Sequence, residues 1–489
     1  MLEHHASVPT RKMAASCATT AALNCNGTLI AIVQCIASSC DVVAFLDALP
    51  PQVLGEPLLA LHALLSRPGQ FLHAWPRPCF LGLVDDEEAL AQAALPAYEA
   101  FDEFLAASIS TDPGTFSAFL SLWAHKMTAI DLTCSANLIN EALCQALRRC
   151  TRLCEVSLDS SPMTPHVFQA VTTAAHHVSR LTVQTARGHA FDWAPLVTSW
   201  LASGHAQHLG LCHVPVPTDA LARAVSRTST LRSLEIRMSD DFVVQLLRIG
   251  ESLHHLTHFS VETKAPIHLV RILHLVSLRS LSSIALSCNM PLNPVFHQLC
   301  RSSVLEELDL RWCSLTVGSP DVGHWPRLRL AQFDAVNFSP EVFDNVVANL
   351  TSSNVLERVH FLECSVLSTK MNVLGSALVH WINRGLRALR LADDRFDDTC
   401  AAVLATALRQ ASNTAPFTLS LNENDLTLEG VTDLLSALAS CVCVRIELNA
   451  TENLGGHTDE LVAVATRFGI KAICGQDVFE FYSPLAIKV

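Results

Sequence analysis

One pattern of apolar residues, apolar-x-x-apolar-x-apolar, returns along this chain about thirteen times, with starts roughly 24 to 30 residues apart. A strict repeat constrains the fold strongly, because every copy must bury its apolar face in the same way as its neighbours. The clearest copies are Leu231/Leu234/Ile236, Leu256/Phe259/Val261, Leu281/Ile284/Leu286, Leu305/Leu308/Leu310, Leu356/Val359/Phe361 and Leu386/Leu389/Leu391. Weaker copies extend the array: Met127/Ile130/Leu132, Leu153/Val156/Leu158, Val178/Leu181/Val183 and Leu209/Leu211, then Leu330/Phe333, Leu419/Leu421, Cys443/Ile446/Leu448 and Ile470/Ile473. Within each copy the last two apolar positions alternate with polar ones, as in a half-buried strand. Helical stretches follow, such as Asp241 to Ile249, Cys400 to Arg409 and Gly430 to Ala439; Val403, Leu404, Ala407 and Leu408 make one stripe at helical spacing. Parallel strands need crossover connections, which these helices supply. The expected fold is an α/β solenoid, with a parallel sheet on the concave side and helices on the convex side.

Over Trp123 to Gly475 the pattern resembles the leucine-rich-repeat family, which implies a horseshoe and a protein-binding scaffold. The family's position after the strand usually holds Asn, which bonds the turn and its neighbour. Here it is read as Asn289 and Asn424, with Cys313 and Cys364 elsewhere and Ser161, Ser239 or Thr451 in other copies. The C-terminal copies, such as Leu419-Ser-Leu421-Asn-Glu-Asn424, are similar to the ribonuclease-inhibitor type. The middle copies, with Trp312-Cys313-Ser-Leu315-Thr316 and with Cys150 and Cys300 at helix ends, are similar to the cysteine-containing type, which is common in F-box substrate receptors.

Four segments are expected: 1–40 disordered, 41–122 a helical cap or F-box-like region, 123–475 the repeat domain, and 476–489 a C-terminal tail. Asp41 can cap a first helix, and Leu49-Pro50-Pro51 opens a second, ending at Pro68-Gly69. Leu-Pro ahead of an amphipathic helix resembles the start of an F-box, with Trp75 as its later Trp. Asp85 to Leu95 and Tyr98 to Ala107 suggest two more helices, and Phe116, Phe119, Leu120 and Trp123 follow at helical spacing. The last group suits a plug over the open end of the first strand.

A net charge of −13 and the lack of a basic cluster argue against nucleic acid as partner. The 18 cysteines include no C-x-x-C pair and are expected as reduced packing residues of an intracellular protein, cytoplasmic or nuclear. No apolar run has the length of a membrane span. There is no phosphate-binding Gly loop, no G-x-S-x-G and no H-E-x-x-H. His254-His255-x-x-His258 lacks further ligands for a metal, and Asp393-Asp394 with Asp397-Asp398 lacks calcium-loop spacing. His176-His177 is read as cationic charge at a helix end. Neither cofactor nor metal is expected.

The expected function is therefore non-catalytic: a scaffold holding a protein partner on the concave face. The register places Glu235, Arg237, Glu262, Asp309, Arg311, Trp312, His360, Glu363, Arg390, Asn422, Glu447 and Asn449 there. Trp312 is the foremost candidate anchor, and Asp309 and Arg311 should pair at i, i+2. The rim formed by Asp393, Asp394, Glu423 and Glu447 suggests a basic or mixed partner segment. The F-box resemblance implies an alternative, a substrate receptor of a cullin-type ubiquitin ligase that meets the ligase adaptor through residues 41–110. A remote alternative is an enzyme within the N-terminal helices.

Overall fold

The computed structural model describes residues 26–66, 75, 85–99, 113–133, 139–159, 163–185, 192–214, 219–317, 323–413, 415–449, 454–474 and 478–484. The chain divides into two compact units, Met1–Ala206 and Gln207–Val489.

The first unit opens with helices α1 (Asn26–Gln34), α2 (Ser39–Asp47) and α3 (Glu56–Leu65), then α4 (Asp85–Ala94) and α5 (Pro113–Trp123). Helix α1 corrects the expectation of disorder through residue 40 from Asn26 onward; residues 1–25 lie outside the described residues. Leu29 and Val33, one helical turn apart, are fully buried. Gln34, whose polarity broke the apolar run, donates its side-chain N–H to the Ala97 carbonyl at 3.1 Å. The cap of α2 is Ser38 rather than Asp41: the Ser38 hydroxyl accepts the Asp41 N–H. Trp75 is buried, donates to the Ile36 carbonyl at 2.6 Å and lies 5.3 Å from the Tyr98 ring. Of the helix expected over Tyr98 to Ala107, only Tyr98 and Glu99 lie within the described residues, and Tyr98 is extended. The Pro68-Gly69 stop lies outside them.

Helix α5 buries Phe116 and Leu120 and packs beside α6 (Glu141–Leu147). Lys126, after α5, donates to the carbonyls of Pro96 and Tyr98 at 2.9 and 2.7 Å, which ties the two helical stretches together. Strands β1 (Ala129–Leu132), β2 (Glu155–Asp159) and β3 (Arg180–Gln184) pair in parallel, with Ile130, Val156 and Leu181 in one buried row. Helices α7 (Thr164–Val171) and α8 (Ala194–Leu201) follow β2 and β3. His176 lies beyond the end of α7. It is buried, bonded to Thr173 and to the Leu147 carbonyl, and its pKa is lowered chiefly by burial. It is thus a neutral packing residue and not a helix-end cation.

The second unit alternates strands and helices: β4 (His208–Cys212), α9 (Asp219–Arg227), β5 (Ser233–Arg237), α10 (Asp240–Ile249), β6 (His258–Glu262), α11 (Pro266–Leu273), β7 (Ser283–Ser287), α12 (Asn293–Leu299) and β8 (Glu307–Arg311). After the short β9 (Ser314–Leu315) come β10 (Leu330–Asp334), β11 (Asn337–Phe338), α13 (Pro340–Thr351), β12 (Arg358–Leu362), α14 (Met371–Asn383), β13 (Ala388–Ala392) and α15 (Asp398–Gln410). The unit ends with β14 (Phe417–Ser420), α16 (Leu428–Leu438), β15 (Val444–Asn449), α17 (Thr458–Arg467), β16 (Lys471–Cys474) and β17 (Val478–Tyr482).

Strands β4 to β15, without β9 and β11, form consecutive parallel neighbours. Leu209, Leu234, Phe259, Ile284, Leu308, Ala331, Val359, Leu389, Leu419 and Ile446 make one buried row, and Leu211, Ile236, Val261, Leu286, Leu310, Phe333, Phe361 and Leu391 a second. Leu234, Leu308 and Leu389 are therefore equivalent rungs, while Arg237 and Arg311 are exposed on the opposite side of the strands. This is an α/β solenoid-like arrangement, and its core lies between strand rows and helices.

Two strand assignments and one helix need correction. In β10 the buried set is Leu328, Ala331 and Phe333; Leu330 is only half-buried. Between β8 and β10 no helix occurs among the described residues. Trp325 is buried there instead, donating to the Leu299 carbonyl at 3.0 Å, and Phe333, Phe338, Phe343 and Phe361 cluster nearby. At the C-terminal end the Ile470/Ile473 segment is not the next parallel rung. Strand β17, from the supposed tail, pairs antiparallel with β15, and β16 pairs antiparallel with β17. Phe479 and Phe481 continue the buried rows, and Ile473 is exposed.

No described helix is long and apolar enough to cross a membrane. Many of the described cysteines are buried, among them Cys150, Cys300, Cys313 and Cys364. Burial raises their thiol pKa values, to about 12 for Cys300 and Cys313.

Candidate partner-binding face

The side of each strand opposite the buried rows carries the polar residues, because successive side chains point to opposite faces of a sheet. Its middle row runs Glu235, Ser260, Ala285, Asp309, Gln332, His360, Arg390, Ser420 and Glu447. The next row includes Arg237, Glu262, Ser287, Arg311 and Asp334. Of the twelve residues expected on one face, Glu235, Arg237, Glu262, Asp309, Arg311, His360, Arg390, Glu447 and Asn449 are on the strands themselves. Trp312, Glu363 and Asn422 follow strand ends, and none of the twelve is buried.

Arg237, Glu262, Asp309, Arg311 and Trp312 line a single hollow of about 160 Å³ with Ser260, Ala285 and Ser287. The charges within it are partly matched. Asp309 accepts two bonds from Arg311 Nε at 2.9 and 3.0 Å and one from Nη2 at 2.6 Å, the expected i, i+2 pair. That bonding raises the Arg311 pKa further. Arg237 is paired with Glu235.

Trp312 has φ 56° and is 54% exposed. Its backbone N–H donates to the Asp334 carbonyl of the neighbouring strand at 2.8 Å, which holds the turn. Met238, Ala335, Glu363, Asp393 and Glu423 take the same left-handed conformation after their strands. A left-handed backbone is unfavourable for a bulky residue, so the turn is imposed by neighbouring rungs. The outcome is an indole displayed to solvent at the rim of the hollow.

The ladder position departs from the sequence reading. Asn424 behaves as expected: its Oδ1 accepts the Asp394 and Phe396 N–H groups, and its Nδ2 donates to the Leu391, Leu421 and Asn422 carbonyls. Ser239 accepts the Val214 N–H and donates to the Arg237 carbonyl. Asn289 is exposed, and Cys288 is the buried residue beside it. Ser161 and Thr451 lie outside the described residues. The equivalent of Asn424 one repeat earlier is Asp394, which was expected on the acidic rim and is 2% exposed. Its Oδ1 accepts the Cys364 N–H at 2.6 Å, and its Oδ2 has no hydrogen-bond partner among the described residues. Burial raises its pKa to about 8, with Asp393 and Glu363 adding to the shift and the Cys364 N–H opposing it.

The acidic rim shrinks further at Glu447, which is bonded to Arg445 at 2.8 Å. Arg445 also reaches Glu480 at 2.5 Å, and Tyr482 donates to Glu480 at 2.6 Å. Arg445, Glu480 and Tyr482 were not found from sequence because β17 was taken for a tail. Arg358 was also missed, although it lies two residues before His360 on the same face; that alternation was the available signal.

Among the described residues no group of His, Cys, Asp and Glu is arranged to hold a metal ion. Compared with known protein families, the chain matches no family model. Compared with curated proteins, it shows no matching relative.

Proposed function

We propose that this chain is a leucine-rich-repeat horseshoe that binds a protein partner on the polar face of its sheet, with Trp312 as the central anchor. The observation that carries this reading is the exposed indole beside a hollow of about 160 Å³, which Arg237, Glu262, Asp309 and Arg311 line with charge. A partner side chain entering the hollow would desolvate Trp312 on one side and meet the Asp309–Arg311 pair at its base. Buried aromatic and Arg anchors ringed by polar residues concentrate binding energy in this way. Helices α1 to α5 serve in this reading as a cap: α5 covers α6, so the first repeat does not end in bare apolar surface.

The test is affinity capture with the full chain and with Trp312→Ala. The variant should retain the wild-type melting temperature and lose on the order of 2 kcal/mol of affinity for captured partners. Equal affinities for the same partners would refute the proposal.

A further inference from the structure

Most charges on the polar face already have a counter-charge. Glu235 pairs with Arg237, Asp309 with Arg311, and Arg445 with Glu447 and Glu480. Strands β12 and β13 differ. Arg358 and Arg390 are exposed, and neither has a carboxylate in salt-bridge contact among the described residues. The register brings them together: Arg358 and His360 share one face of β12, and His360 lies directly opposite Arg390 on β13. Their cross-strand neighbours are uncharged: Leu330 and Gln332 on β10, Ala388 on β13, and Thr418 and Ser420 on β14.

His360 reports the resulting field. It is half-buried, and its pKa is lowered by burial and then by Arg390 and Arg358, with Asp309 opposing. The imidazole stays neutral at neutral pH, so it adds no third positive charge to the two guanidinium groups. That is a notable arrangement in a chain of net charge −13.

We infer that Arg358, His360 and Arg390 form a binding site for two carboxylate side chains of an extended acidic segment in the protein partner. The inference rests on the partner-binding reading above and supplies its chemistry. The two arginines sit one strand and two residues apart, so their Cα atoms are roughly 8 Å from one another. Alternate residues of an extended peptide are about 7 Å apart and project to one side. Each guanidinium can take a carboxylate through two parallel N–H bonds, and the imidazole between them can donate one more. A nucleic acid fits less well. Its backbone needs a continuous stripe of cations, whereas Asp309, Asp334 and Glu363 flank this pair.

The probe is a fluorescein-labelled Glu-Ser-Glu-Ser-Glu-Ser peptide, titrated with the full chain at low salt and followed by anisotropy. The Arg358→Glu/Arg390→Glu double variant should weaken binding by about tenfold or more, roughly 1.4 kcal/mol at the least. The Arg271→Glu/Arg279→Glu variant makes the same change of net charge at exposed positions on and after α11 and should bind as wild type. The peptide should also raise the pKa of His360 in a proton NMR titration, and should not do so in the Arg358→Glu/Arg390→Glu variant. Equal weakening in both double variants, an unmoved His360, or tighter binding of hexathymidylate than of the peptide would each overturn the inference. Partner capture separates it from the broader reading. Capture lost in Trp312→Ala but kept in Arg358→Glu/Arg390→Glu removes the acidic-segment site and leaves the face as the binding surface; capture unchanged in both removes the two together.

Discussion

Asp394 shows how one atom decides the behaviour of a residue. It occupies the place of Asn424 one repeat earlier, and one carboxylate oxygen accepts the Cys364 N–H as the Asn424 oxygen accepts the Asp394 N–H. The other oxygen stands where Asn424 carries donor hydrogens, and it has no partner among the described residues. A protonated carboxyl has a hydrogen to offer at that place and avoids a buried charge, so the fold favours the neutral form. With a native pKa of about 8 against about 3.9 unfolded, the native state binds the extra proton between these limits. Stability therefore falls as pH rises from about 4 to about 8, and the loss is complete above the native pKa. Asp394→Asn should abolish that contribution. The melting temperature of the variant should exceed that of wild type by a margin that grows from pH 5 to pH 8 and then levels off. Parallel melting curves across this range would contradict the assignment. Residues near Asp394 looked like a surface patch in the sequence because four aspartates fall within six positions; only the left-handed turn at Asp393 directs the second of them inward.

At the scale of the element, the strand register separates neighbours that look alike. Phe333 is fully buried and stacks 5.1 Å from Phe361, whereas Leu330, three residues earlier, is half-buried on the polar face. Phe333→Ala should cost about 3–5 kcal/mol in urea unfolding, and Leu330→Ala well under half of that. The reverse order would show that β10 is shifted by one residue. Helix packing makes a second demand at Gly430 in α16. A Cβ there would lie 2.9 Å from the Asp398 carboxyl carbon and 3.1 Å from its Cα. Asp398 is held in place by the Thr427 N–H at 2.9 Å. Gly430→Ala improves helix propensity by roughly 1 kcal/mol, yet it should lower the melting temperature, since α15 must retreat or Thr427 lose its partner. Polar residues such as Gln34 concealed helix α1 in the sequence, because its partner, the Ala97 carbonyl, is 63 residues distant.

For the molecule as a whole, the repeat ends in a different pairing from the one that builds it. Strand β17 lies antiparallel against β15, buries Phe479 and Phe481 along the two core rows, and supplies Glu480 to Arg445. Removing residues 478–489 should expose the β15 edge and two core rows. The shortened chain should melt at lower temperature and associate with itself, which light scattering would register; unchanged melting and a monomeric chain would mean that β17 is dispensable. The periodic part of this architecture was legible in the amino-acid sequence alone. Strand faces follow from period-two alternation and helix positions from the 3.6-residue stripe, each copied from one repeat to the next, local signals that survive without coordinates. The structure alone decided whatever breaks the period: the Trp325 replacement of a helix, the antiparallel β17, the inward turn of Asp394 and the unpaired state of Arg358 and Arg390. Each depends on partners brought close by folding from a neighbouring repeat or beyond, and distance along the chain carries no record of them.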